Sequence, residues 1–194
     1  GADGVEVDMG SSRTKYINQA EEIASRMNHY HTASVKYNHR HIARNIPIIR
    51  KQANAILTKK KIPPSNFHFF PVGVKQLIIE ADIAGLRFFL VHLSLMERTR
   101  RRQVEHLIEI ASGDKPVIIA GDFNVFSGRS ELGRLEKRLN LYNPNTENHP
   151  TFPSCRPRRE LDFILCSRQI QTINFSVINV NFSDHLPIVL DFEL

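Results

Sequence analysis

Apolar and polar positions along the chain fall into two periods, and the alternation between them marks the elements. "GVEVD", residues 4–8, reads as a strand and leads into "GSSRTKYINQAEEIASRM". There Ala20, Ile23, Ala24 and Met27 recur at helical spacing, with Ser12 or Thr14 able to cap the start. The polar stretch "NHYHTASVKYNHRH" follows, and then "ANAIL", strand-like in length and ended by Lys59, Lys60 and Lys61. "KQLIIEADIAGLRFFLVHLSL" predicts a hairpin turning at Ala84-Gly85. From Arg98 to Ala111 the period is helical again, with Val104, Leu107, Ile108 and Ala111 facing inward. "KPVIIAGDFN" is a short apolar strand ending in polar residues, and "SELGRLEKRL" a second amphipathic helix. "RELDFILCS", "INFSVINV" and "LPIVLDFEL" close the chain as three strands. Strands outnumber helices and alternate with them irregularly. That pattern predicts a layered α/β or α+β sandwich rather than a doubly wound sheet. Neither an internal repeat nor a linker interrupts the 194 residues, so one domain is expected over 1–194.

Four apolar strands carry polar groups at or near their ends, where a fold tends to gather its site. In "VIIAGDFN" Asp122 and Asn124 are two apart, which on an extended segment puts both side chains on one side. An acid beside a neutral amide can orient a water and hold a phosphoryl oxygen; a loop-forming Asp/Asn pair is the alternative. In "RELDFIL" Asp162 stands among Leu161, Phe163, Ile164 and Leu165, where a carboxylate is costly unless paired. A histidine, whose tautomer it would fix, is the natural partner. "NFSDHLPIVLDF" places Asp184 and His185 side by side before a strand that Pro187 can open. Neighbours on a strand face opposite ways, so both reach one site only through a turn or bulge. His92 in "FFLVHLSL" is the fourth candidate, and alone it reads more readily as a structural histidine.

Charge adds a partner to this picture. Lys and Arg number 26 against 20 Asp and Glu, a net +6. The excess clusters at Lys59–Lys61, at Arg98 with Arg100–Arg102, and at Arg156 with Arg158 and Arg159. A basic surface favours polyanions, a nucleic acid or an anionic lipid, through counterion release. Two cysteines, Cys155 and Cys166, make no disulfide framework and fit a reducing compartment, so a cytoplasmic location is expected. No apolar run is long enough to span a membrane as a helix. The chain opens on Gly1 without an initiator Met, which leaves an upstream segment to be expected. The His-x-His pairs His29/His31 and His39/His41 lack Cys or acidic neighbours and read as a polar surface. The two "NFS" sequons, at Asn174 and Asn181, bear on glycosylation only in a secreted protein.

"GDFN", "LDFIL" and "SDHLPIVLDF", in this order and spacing, resemble the endonuclease/exonuclease/phosphatase superfamily, which includes the DNase-I-like nucleases. The likeness is best over residues 88–194. "VHLS" stands in the place of the family's "THL", with Val91 for Thr, and "TFPSCRPRRELDFIL" is similar to the loop before the Asp strand in smaller bacterial members. "VEVDMGSSRT" resembles the family's "QEVD" segment, with Val5 for Gln. The family's opening strand, which carries an Asn near the metal, has no counterpart, so the domain is read as N-terminally incomplete.

The resemblance implies a DNase-I-like four-layer α/β sandwich of two packed mixed sheets flanked by helices. It implies an Mg²⁺-dependent phosphoesterase, Mn²⁺ being the alternative ion, with Glu6 and Asp184 as metal ligands. His185 would be the general base or proton donor, oriented by Asp162, and Asp122 would position or deprotonate the attacking water. Asn124 and His92 would donate hydrogen bonds to phosphate oxygens. The basic clusters favour a nuclease on DNA or RNA, acting as a monomer. The alternatives are a phosphatase or sphingomyelinase-like enzyme on a lipid or small phosphorylated molecule, and an inactive phosphate-binding relative. The absence of Trp counts against the AP-endonuclease branch.

Overall fold

The computed structural model describes residues 2–8, 18–35, 52–58, 65–74, 77–180 and 183–194. The chain divides into two compact units, Gly1–His92 and Leu93–Leu194.

In the first unit, strands β1 (Ala2–Asp8), β2 (Tyr30–Val35) and β3 (Gln52–Thr58) form an antiparallel sheet with β3 at its centre. Helix α1 (Gln19–Met27) joins the outer two in sequence and is capped at Asn18 without a side-chain hydrogen bond. Ser12 and Thr14, the expected caps, lie outside the described residues. Of the apolar positions expected to face inward, Ala24 is buried, whereas Ile23 and Met27 are exposed. Strands β4 (Asn66–Phe69), β5 (Leu77–Ile83) and β6 (Leu86–His92) run antiparallel in that order. The β5–β6 hairpin turns at Ala84 and Gly85, whose φ values of 56° and 85° both lie in the left-handed region. A two-residue turn of that hand matches the twist of the flanking strands. Ile56 of β3 packs with Leu77, Ile79, Ala81 and Leu90 of β5 and β6 to make this unit's core.

The second unit begins with helix α2 (Glu97–Ala111), whose Val104, Leu107, Ile108 and Ala111 are buried as their spacing predicts. Arg100 and Gln103 are buried on the same face. Strand β7 (Val117–Asp122) follows, then a 3-10 turn (Arg129–Leu132) running into helix α3 (Gly133–Leu139). Strand β9 (Asp162–Ser167) lies between β7 and the short β8 (Leu141–Tyr142). Strands β10 (Gln171–Val177) and β11 (Ile188–Glu193) form an antiparallel pair. Phe123 and Phe163 meet edge to face at 5.5 Å inside this unit, both fully buried. No helix among the described residues is long and apolar enough to cross a membrane.

One expectation about charge changes here. Arg100 is not part of a basic surface: it is 2% exposed and donates through Nε and Nη2 to Glu131 Oε2, at 2.9 and 2.6 Å. Its Nη1 donates to the carbonyls of Ser94 and Leu95. Arg98, Arg101 and Arg102 remain exposed, and Arg101 pairs with Glu97 one turn away. Lys59, Lys60 and Lys61 lie outside the described residues.

Candidate active site

Strand pairing sets the first two groups. In the antiparallel pair β7–β9 Asp122 stands directly opposite Asp162, so the two carboxylates share one face of the sheet. Two like charges in that relation repel, and the arrangement favours a positive charge beside them. Asp162 opens β9 rather than interrupting it, which puts its carboxylate at the strand end with the apolar run behind it.

The positive group comes from the bend over Ser183, Asp184 and His185. Two backbone bonds tie that bend to the 151–154 loop: Ser154 N–H to Asp184 O at 2.7 Å and Leu186 N–H to Thr151 O at 2.8 Å. The Ser154 hydroxyl also donates to the Ser183 carbonyl. Leu186 is buried next in line, so the chain turns His185 inward while Asp184 stays exposed. His185 Nδ1 then lies 2.8 Å from Asp162 Oδ2. The hydrogen bond to Asp162 raises the imidazole pKa above its ordinary value. Partial burial opposes this, and the charges of Asp162, Asp122 and Asp184 add to the rise. With Nδ1 engaged, Nε2 is the nitrogen able to reach a substrate.

Each carboxylate is braced. The Thr151 hydroxyl donates to Asp162 Oδ2 at 2.6 Å, and accepts from the backbone N–H groups of Leu161 and Asp162 at 3.1 and 3.3 Å. On the other side the chain leaves β7 and Asn124 adopts φ 52°, which folds its backbone N–H onto Asp122 Oδ1 at 2.9 Å. Its Nδ2 donates to Asp122 Oδ2 at 3.1 Å and to Leu93 O at 3.0 Å. Asn124 is 3% exposed with both amide hydrogens engaged. Donation to a phosphate would require giving up one of these bonds.

Asp122, Asp162 and His185 thus converge, with one ligand atom from each lying within 4.8 Å of the others. The group is half-buried and free of thiolate, a donor set that fits a hard divalent cation. The Asp184 carboxylate, which accepts from the Ser183 hydroxyl at 3.1 Å, is the exposed acid next to His185 in sequence. Cys166 is buried and its thiol pushed up to about 12 by that burial, so it is inert.

His92 closes β6 in the first unit and is buried. Glu6 lies in β1 opposite Asn54 of β3, and its side chain is outside the described residues. Of the His-x-His pairs, His29 donates from Nδ1 to the Met27 carbonyl, His31 lies on β2, and His39 and His41 lie outside the described residues.

Three residues went unseen in the sequence: Thr151, Ser154 and Phe152, whose ring lies 4.8 Å from that of His185. All belong to "TFPSCRPRRELDFIL". The signal available was the segment's likeness to a family loop, which marks the stretch without singling out its hydroxyls.

No curated protein matches the chain in sequence. Among solved structures it is similar to an endonuclease/exonuclease/phosphatase from Beutenbergia cavernae, at 16% identity and a TM-score of 0.73, covering 100% of this chain and 62% of that one. The 3′ phosphatase NExo from Neisseria, bound to product DNA hairpin, is similar at 13% identity and a TM-score of 0.71, over 100% of this chain and 89% of that one. A mannosyl-6-phosphatase from Bacteroides thetaiotaomicron is similar at 14% identity and a TM-score of 0.68, over 91% of this chain and 81% of that one. These likenesses show the fold, a DNase-I-like α/β sandwich. A family model described as the Endonuclease/Exonuclease/phosphatase family matches residues 5–185. Asp122, Asp162 and His185 all fall within that match, and the chain belongs to this family, whose members are hydrolases acting on phosphate esters.

Proposed function

We propose that the chain hydrolyses phosphodiester bonds of nucleic acid, with a divalent cation, Mg²⁺ or Mn²⁺, as cofactor. The observation that carries this reading is the His185–Asp162 bond beside the Asp122 carboxylate. His185, held in one tautomer by Asp162, exchanges a proton through Nε2, as general base toward water or as acid toward the leaving oxygen. Thr151 keeps Asp162 in place, and Asn124 keeps both Asp122 oxygens oriented toward an attacking water. In this reading Asn124 is a positioning residue. Asp184 would help to hold the cation, and for Glu6, the other expected ligand, the support is the likeness of its segment to the family alone. When bound, the cation would neutralise phosphoryl oxygens and the leaving oxygen.

The net charge of +6 and the exposed Arg156, Arg158 and Arg159 support a polyanionic substrate. So does the likeness to a phosphatase bound to a DNA hairpin. A second reading, a phosphatase of small phosphorylated molecules, is supported by the likeness to a mannosyl-6-phosphatase. A hydrolysis panel separates them: plasmid, single-stranded and abasic DNA, RNA, sphingomyelin, inositol phosphates and a sugar phosphate, each with Mg²⁺ and with EDTA. EDTA-sensitive cleavage of nucleic acid is expected. Turnover confined to small phosphate esters would favour the second reading, and none on any substrate would overturn both.

A further inference from the structure

Beyond His185 the rings continue outward. Phe152 lies 4.8 Å from the His185 ring, and Phe126 meets Phe152 edge to face at 6.2 Å. Phe126 is 39% exposed, an open aromatic surface four residues after Asp122. Single exposed apolar residues are ordinary and by themselves mean nothing. This one is fixed from three sides. The turn bonds Phe126 N–H to Asn124 O and Gly128 N–H to Val125 O hold its backbone at 3.0 and 2.9 Å. Arg159 Nη1 donates to the Phe126 carbonyl at 2.8 Å, and its guanidinium lies 5.4 Å from the Phe126 ring centroid. Such anchoring does nothing for a core that does not include this ring. It does prepare a rigid aromatic surface beside a cation, close to the proposed proton-transfer group.

We infer that Phe126, backed by Phe152 and Arg159, is a stacking platform for an unpaired nucleobase next to the phosphate at the His185 site. The identity of that phosphate rests on the function proposed above. An aromatic face binds any base through its π surface, and an adjacent guanidinium adds to the stack while facing the backbone phosphates. A base inside a duplex is already stacked on both sides, so the ligand is a single strand, a frayed end or a flipped nucleotide. The proximity of Arg156 and Arg158 in sequence puts further exposed cations on the same loop as Phe152 and Arg159.

The test compares a short oligothymidylate with a base-free strand of the same length and charge. The parent protein binds the base-bearing strand more tightly, by roughly 5- to 150-fold if one base stacks. Phe126→Ala lowers that ratio to near one, and Phe126→Trp retains it. Because the chain has no Trp, the Phe126→Trp variant also carries a single tryptophan, whose emission the base-bearing strand quenches and the base-free strand does not. Equal affinity of the parent for the two strands, or a ratio unchanged in Phe126→Ala, overturns the platform. Hydrolysis with Mg²⁺ is followed in parallel. A parent that prefers bases without cleaving leaves the platform standing and overturns the catalytic reading. One that cleaves without preference does the reverse.

Discussion

A histidine beside an aspartate gains its meaning from what else each one touches. Asp162 Oδ2 receives both His185 Nδ1 and the Thr151 hydroxyl, so its charge is directed at the imidazole by two short bonds. Replacing Asp162 by Asn removes the hydrogen bond and the charge that raise the His185 pKa. In metal-free protein, the His185 ring resonances of Asp162→Asn should titrate at lower pH than in the parent; an unchanged midpoint would contradict the pairing. Hydrolysis should fall as well, by about 10²–10⁴-fold, the range for a mispositioned proton carrier. Asp122, Asp162 and His185 were each legible in the sequence, because a polar residue at the end of an apolar strand stands out. Thr151 was not: a threonine in a loop fits too many roles for its type to point to one.

Register does for these side chains what no single residue can. Shifting β9 by one position against β7 would move Asp162 to the other face and part it from Asp122. The hydrophobic pattern forecast both strands and the β5–β6 hairpin, but not their pairing, which depends on contacts far apart in the chain. It also passed over β2, β4 and β8, whose composition is polar or whose length is short. Helix α2 shows a different limit. Its apolar stripe was legible, yet Arg100 read as one of a basic run and is instead buried against Glu131. Charge counting along a sequence cannot see which member of a run the helix turns inward. Arg100→Met should destabilise the fold by about 3–5 kcal/mol, since Glu131 would keep a buried charge without its partner. Chemical denaturation of variant and parent would check this, and a difference under ~1 kcal/mol would place the pair at an exposed site.

For the whole chain, charge sets both the substrate expected and the response to acid. In the first unit Glu80 is buried between His68 and Arg87, bonded at 2.7 and 2.8 Å. Burial alone would raise its carboxyl, but the hydrogen bonds from His68 and Arg87, with their charges, outweigh it and hold the pKa below the ordinary 4.5. A lowered carboxylate stabilises the fold above its unfolded pKa and loses that contribution as pH falls through the folded one. Melting temperature should therefore drop more steeply below pH 4.5 in the parent than in Glu80→Gln.

The family motifs were legible in the sequence because they are short and local. The substrate was not, because loops around a shared site set it, and loops carry no pattern of their own. The central claim is that His185, set by Asp162 beside Asp122, carries metal-dependent hydrolysis. The most direct measurement is Mg²⁺-dependent cleavage of single-stranded DNA by the parent and by His185→Ala, with folding of both checked by circular dichroism. The account predicts EDTA-sensitive cleavage by the parent and less than a few per cent of it, roughly the loss expected for a proton carrier, in a folded variant. Turnover in His185→Ala close to the parent's would contradict it.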